Sequence, residues 1–372
     1  MSKLCFVYSW KDENSKAWSG TPHGLEQALS KKIGLRKINV AVDKKFFLKK
    51  VVTKVFYPTF EYEYAKNIIN NDNDSCAPYF VFGEYLSNVI ANTYCYQDLS
   101  IDYMLREFNN KDSYYNHISL LKKSLYRFNF KVKRKKALEF YRNCGGVFTM
   151  SEWLKNDLIK NTGLPECKVF HVGGGCSVDV SLIDDSMKEG NKFLFVGKNW
   201  DRKNGDLVVQ AFKKVRNHYP ELKPELYVAG PEVPPLSVVG IDGVHFLGSL
   251  SYKELARYYN MCDYFVMPSN FEAYGLVFLE ALIFGLPCIG KNCFAMPEFI
   301  QNGENGYLID KNDPDELMAA MEKLLSGGKA LVQNLKKDHM NLLAKYSWDS
   351  VADRIIDVLE KQGFALEKDA FK

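Results

Sequence analysis

The segment Ser269–Glu280, SNFEAYGLVFLE, sets two carboxylates, Glu272 and Glu280, around a glycine and an apolar run. A carboxylate accepts several hydrogen bonds and suits adjacent hydroxyls. A strand is expected to end near Pro268, with Glu272 in the following turn and a helix beginning at Tyr274 or Gly275. First-turn N–H groups of a helix have no helical partners and favour anions or polar oxygens. Gly275 would let a ligand come close to the backbone. Glu280 then falls a little over one turn into the helix, on the side next to the turn. From the residues alone two readings stay open: two recognition groups for one polar ligand, or two surface acids on an ordinary helix. A second group lies in Gly197-Lys-Asn-Trp-Asp-Arg-Lys203, after the apolar run KFLFV. Lys198 and Lys203, with Arg202 able to share the role, stand where a buried strand opens. Cations there would neutralise a diphosphate and the charge that develops as it leaves; two solvated lysines are the alternative.

Positioning such groups needs a scaffold, and the apolar pattern supplies one. LCFVY, a helix GLEQALSKKIG and a strand over residues 37–42 read as the start of an α/β unit, with Gly20 and Thr21 in the loop after its first strand. Residues 79–84, 89–94, 145–151 and 168–175 are further strand candidates. The second half is more regular, with strands expected at 192–198, 225–231, 244–249, 263–269 and 286–291. Helices are expected between them at 206–220, 252–262 and 275–285. Near-continuous apolar strands alternating with helices indicate parallel sheets covered on both faces. A length of 372 residues favours two domains, with the boundary expected near residues 178–190.

Composition removes other classes. The chain is 47% hydrophobic and 25% charged, which argues against disorder. No run approaches the roughly 20 apolar residues of a membrane-spanning helix. The start, MSKLCFVYSW, lacks the apolar region of a signal peptide, so a cytoplasmic location is expected. Nine cysteines without a CxxC pair suit neither a disulfide framework nor a zinc site; no metal site is legible. The net charge is only +4, yet residues 122–136, KKSLYRFNFKVKRKK, carry eight basic side chains and no acid. With Leu125, Tyr126, Phe128 and Phe130 interleaved, this stretch reads as a solvated basic helix, or as a contact for an anionic membrane surface, with nucleic acid the weakest reading.

FVGKNWDRKN, LYVAGP, VHFLGS, YYNMCDYFVMPSNFEAYGLVFLEALIFGLPCIG, FIQNGENGYLI and KYSWDSVADRI, in that order over about residues 192–357, resemble the family 4 retaining glycosyltransferases. That resemblance implies the GT-B fold: α/β, two Rossmann-like domains facing across a cleft. The implied division is an acceptor-binding domain over 1–182, a nucleotide-sugar-binding domain over 183–345, and a helix and tail over 346–372 returning to the first domain. It further implies that Lys198 and Lys203 hold the donor's phosphates, Glu280 the ribose and Glu272 the transferred sugar. Ala273, Tyr274, Gly275 and Leu276 would meet sugar or phosphate oxygens, and Phe246 and Leu247 would flank the base. Gly20 and Thr21 would lie near the diphosphate, with His23, Tyr96 and Asp98 as sugar or acceptor contacts. Two departures stand out. Lys198 replaces the family's usual arginine, keeping the charge without the fork of donors, and residues 94–98 lack the histidine often found there.

The implied activity is transfer of a sugar, with retention, from a nucleoside diphosphate sugar to a hydroxyl of a glycan, lipid-linked glycan or polymer precursor. UDP is favoured by its prevalence in the family. The lysines supply the positive charge, so no metal and no permanently bound cofactor is called for. Alternatives are a nucleotide-sugar epimerase or hydrolase on the same frame, or a catalytically inactive glycosyltransferase partner. A dinucleotide-dependent oxidoreductase is disfavoured, because the first loop, WSGTPHG, is not Gly-x-Gly-x-x-Gly. The basic stretch suits peripheral attachment to the inner face of a membrane.

Overall fold

The computed structural model describes residues 1–9, 20–40, 65, 67–69, 71, 76–84, 92–110, 113–184 and 190–368. Two compact units emerge, residues 1–175 with 347–372, and residues 176–346. The division falls between Gly175 and Cys176 rather than at 182/183, and residues 185–189 of the expected boundary segment lie outside the described residues.

The first unit holds β1 (Leu4–Tyr8), α1 (Thr21–Ser30), β2 (Leu35–Asn39), β3 (Tyr79–Phe82), β4 (Thr93–Gln97), α2 (Ile101–Asn109), α3 (Leu120–Asn143), β5 (Gly146–Thr149), α4 (Glu152–Asp157) and β6 (Val169–His171). Its strands form one parallel sheet in the order β2-β1-β3-β4-β5-β6. Alternation along each strand sorts the side chains onto two faces. Cys5, Val7, Tyr79, Val81, Cys95 and Val147 pack with Ala137 and Phe140 of α3 and Leu154 of α4. The other face is aromatic: Phe6 stacks on Phe80 at 5.6 Å, and Phe80 on Phe148 at 6.0 Å. Residues 89–91 of the strand expected at 89–94 are outside the described residues; its last two residues open β4, which runs on to Gln97.

The second unit holds β7 (Lys192–Val196), α5 (Gly205–His218), β8 (Glu225–Ala229), β9 (Val244–Gly248), α6 (Tyr252–Met261), β10 (Tyr264–Val266), α7 (Leu276–Ile283), β11 (Cys288–Lys291), β12 (Gly306–Ile309) and α8 (Pro314–Lys345). Its parallel sheet runs β12-β11-β10-β7-β8-β9. Strand order reverses between β7 and β10, and in such sheets a ligand binds outside the carboxyl ends of the strands at that reversal. The Gly197–Lys203 and Ser269–Gly275 segments both leave the sheet there.

The last helix, α9 (Trp348–Lys361), belongs to the first unit and packs on α1. Its Trp348 lies where a Cβ on either Gly24 or Gly175 would have to go, and Arg354 Nε donates to the Val172 carbonyl at 2.5 Å. The tail then bonds along the first unit's edge, Ser2 N–H to Ala365 O at 2.9 Å and Gly34 N–H to Glu367 O at 2.8 Å. Gly24→Ala is therefore expected to cost about 1–3 kcal/mol by overpacking. Gly327→Ala, in α8 where an added Cβ meets nothing within 4 Å, should gain about 0.4–1 kcal/mol. Denaturant unfolding of the two variants checks both signs.

Candidate active site

The two loops at the β7/β10 reversal are knitted together by their own backbone. Asn270 N–H donates to the Arg202 carbonyl at 2.9 Å, and Ser269 Oγ lies 3.2 Å from the same oxygen and 3.1 Å from Phe271 O. The Arg202 guanidinium donates to the Phe271 carbonyl, and Asn204 Nδ2 donates to Pro268 O at 3.2 Å. Close approach explains two glycines. A Cβ on Gly197 would meet Lys203 Cγ at 2.7 Å, and one on Gly230 would come within 2.5 Å of the Gly197 carbonyl carbon.

This packing brings Lys203, Arg202 and Glu272 together. Lys203 is buried, and its ammonium pairs with Glu272, while Arg202 Nη1 stands 3.5 Å from the same carboxylate oxygen. Burial pulls the Lys203 ammonium below its usual range and the Glu272 charge works against that fall. Glu272 thus offsets part of the cost of burying that ammonium, beyond any part it takes with a ligand.

Gly275 caps α7 from the left-handed region at φ 95°, and no side chain caps that helix end. A Cβ there would meet Phe278 at 2.9 Å and Glu272 Cγ at 3.1 Å, so the glycine serves the turn as well as open access. Glu280, one turn further, accepts from the Tyr259 hydroxyl at 3.1 Å. Burial pushes its carboxyl up from 4.5 to about 7, with the Tyr259 bond opposing. Tyr259 was not singled out in the sequence; it lies in α6, and only the tertiary packing of α6 beside α7 brings it to Glu280. Lys291 Nζ, at the end of β11, lies 2.8 Å from Asn312 Oδ1 and 3.3 Å from Asn270 Oδ1, further polar groups that the motif did not reveal.

Other expected residues are placed differently. Lys198 is exposed and forms no ion pair among the described residues. Ala273 and Leu276 are partly exposed, and Tyr274 is buried edge-on against Phe299 at 5.0 Å. Phe246 and Leu247 are partly exposed on the edge strand β9. In the first unit, Gly20 caps α1 at φ 84° and Thr21 is buried at its first position; residues 18 and 19 lie outside the described residues. His23 Nε2 lies 3.0 Å from Gln27 Nε2. Tyr96, expected as a sugar or acceptor contact, is buried, and its hydroxyl donates to Gly173 O at 2.9 Å. Strand β4 turns it into the aromatic core, and Asp98, partly exposed in the next turn, is the residue of that pair with accessible atoms. Among the described residues no three His, Cys, Asp or Glu side chains gather as a metal site requires.

Residues 190–327, within the second unit, match the family described as "Glycosyl transferases group 1". An uncharacterized glycosyltransferase of Methanocaldococcus jannaschii is 28% identical over 244 residues, 59% of this chain and 61% of that protein. The chain thus spans about three fifths of that relative's length. Among solved structures, a sucrose-phosphate synthase from Thermosynechococcus elongatus superposes with a TM-score of 0.68 at 14% identity, covering 97% of this chain and 99% of that one. A TarM variant of S. aureus, in complex with fondaparinux, alpha-GlcNAc-glycerol and UDP, does so at 0.55 and 16% identity, covering 72% and 55%. The fold is that of the GT-B glycosyltransferases.

A carboxyl held above its unfolded value binds more protons in the folded state, so folding stability falls as pH rises through the interval between the two values. For Glu280 that interval runs from 4.5 to about 7. Stability of the parent is expected to decline across it and level off above, and Glu280→Gln should make the decline shallower, the buried Glu84, raised over the same interval, supplying the remainder. Urea midpoints of both proteins at stepped pH values measure this.

Proposed function

We propose that the chain transfers a sugar, with retention, from a nucleoside diphosphate sugar to a hydroxyl of a glycan, a lipid-linked glycan or another polymer precursor. The observation that carries the reading is the Lys203–Arg202–Glu272 cluster beside the uncapped amino end of α7, with Glu280 one turn on, at the strand-order reversal of a group 1 domain. Lys203, Arg202 and the exposed Lys198 neutralise the diphosphate, with the first-turn amides of α7 as further donors. Glu280 accepts from the ribose hydroxyls and Glu272 from the sugar. The acceptor oxygen attacks on the face the leaving group vacates. Its bond to the anomeric carbon forms as the bond to phosphate oxygen breaks, and the acceptor's proton passes to the departing diphosphate. The UDP held in the TarM complex supports uridine as the base.

Calorimetry of the full chain against UDP, GDP, ADP and their sugar conjugates tests the donor site. One base should bind saturably, and Glu280→Ala should weaken that nucleotide about tenfold or more, the loss of charge-assisted hydrogen bonds. Binding of none of them would overturn the reading. An inverted anomeric product, read by NMR, would remove the stereochemical part.

We also propose that α3 rests on an anionic membrane surface. Among the described residues no helix is long and apolar enough to cross a membrane. Leu121, Leu125 and Phe128, spaced i, i+4 and i+7, are 87%, 44% and 57% exposed, and Lys122, Lys131 and Lys135 are exposed beside them. Not all of the basic stretch is available: Lys123 bonds Asn116, Arg134 pairs with Asp102, and Arg127 donates twice to the Phe108 carbonyl. An apolar stripe edged with free lysines complements acidic lipid headgroups. Flotation with phosphatidylglycerol vesicles should capture the chain and phosphatidylcholine vesicles should not. Salt, or Leu121→Glu with Phe128→Glu, should release it; capture insensitive to both would refute the surface.

A further inference from the structure

The carboxyl edge of the first sheet contains a buried acid that the proposed reaction leaves unused. Glu84 follows β3, at the reversal of strand order between β1 and β3, and is 4% exposed. Its Oε1 accepts from the N–H of Ile101, the first residue of α2, at 2.5 Å. The Tyr141 phenol of α3 lies beside it and favours its charged form, and that hydroxyl accepts from Gln97 Nε2, at the end of β4, at 2.9 Å. Elements β3, β4, α2 and α3 therefore converge on one carboxyl.

What this convergence holds is the turn Asp98-Leu99-Ser100. Gln97 is tied to the cluster at one end of it and Ile101 at the other, and Ser100 caps α2 by accepting from Tyr103 N–H at 3.0 Å. A buried carboxyl stabilises less than apolar packing would, so its presence calls for a role in holding one geometry. Among the described residues the groups facing Glu84 are Asp98 of the turn, Tyr141 of α3, Cys95 of β4 and the Ile101 amide. Asp98 stands near enough for its charge to act on Glu84, which burial first, and Asp98 in addition, push up to about 7.

We propose that Glu84 is a positioning residue for the transfer: through the Ile101 amide it fixes the 98–100 turn, and with it the place from which Asp98 meets a sugar hydroxyl. This rests on the transferase reading above, in which Asp98 is a sugar contact. A displacement of about 1 Å in such a group can slow a reaction by up to about a hundredfold.

The test uses the full chain and its Glu84→Ala, Glu84→Asp, Glu84→Gln and Asp98→Asn variants. Nucleotide release from UDP-glucose and GDP-mannose is followed with water as acceptor, with UDP affinity by calorimetry and hydrogen exchange at the amides of residues 98–103. Glu84→Ala should speed that exchange and slow release about tenfold or more, as Asp98→Asn does, with UDP affinity unchanged. Glu84→Gln, which keeps an oxygen for Ile101, should restore both and flatten the pH profile of release between about pH 6 and 8. If Glu84→Ala does not fold, Glu84→Asp decides, because its carboxyl is withdrawn by one methylene. Unchanged exchange in the Asp variant, or full release alongside a loss in Asp98→Asn, overturns the proposal. Full release by Asp98→Asn removes the sugar-contact reading and Glu84's role with it, while intact UDP affinity leaves the donor site standing.

Discussion

An ammonium withdrawn from water needs a counter-charge, and the Lys203–Glu272 pair is the contact on which the candidate site depends. Lys203 comes from the loop after β7 and Glu272 from the loop after β10, so the pair joins segments far apart in sequence. Neither charge is well placed without the other: burial alone would lower the Lys203 ammonium, and a carboxylate in that turn would lack its strongest partner. Arg202 reinforces the arrangement from the same loop as Lys203. A neighbouring requirement is backbone proximity, since Gly197 and Gly230 leave no room for side chains between β7, β8 and the Lys203 stem.

The parallel sheet makes such a pairing natural. All six strands of the second unit point the same way, so their following loops gather at one edge. Where the order reverses between β7 and β10, the two helices that follow run to opposite sides of the sheet and leave their amino ends open to a ligand. Charge from Lys203, Arg202 and Glu272 and backbone dipole from α7 therefore act in one place, although none of them is near another in sequence beyond its own loop.

The first unit solves a related problem with less charge. Its sheet edge gathers a carboxyl, a phenol and an amide, Glu84, Tyr141 and Gln97, above an otherwise apolar core. Its outer helix α3 carries many cations, but Lys123, Arg127 and Arg134 hold neighbouring elements in place. The charged run is thus part scaffold and part surface, a distinction composition alone does not make.

By itself the sequence determined the class of fold and the residue types of the candidate site. Apolar runs such as KFLFV and DYFV alternating with amphipathic helices imply parallel sheets, because only buried strands lose the polar alternation. The Glu272–Glu280 spacing around Gly275 is likewise local, being set by one turn and one helix. Tertiary structure alone decided which charges meet. It brought Lys203 and Arg202 onto Glu272 while leaving Lys198 exposed, put Tyr259 on Glu280, and turned Tyr96 into the core. It also carried the fourth strand of the first sheet on to Gln97 and buried Glu84 beneath α2. Those outcomes depend on strand register and on partners scores of residues distant, and no local pattern of apolar and polar residues encodes either.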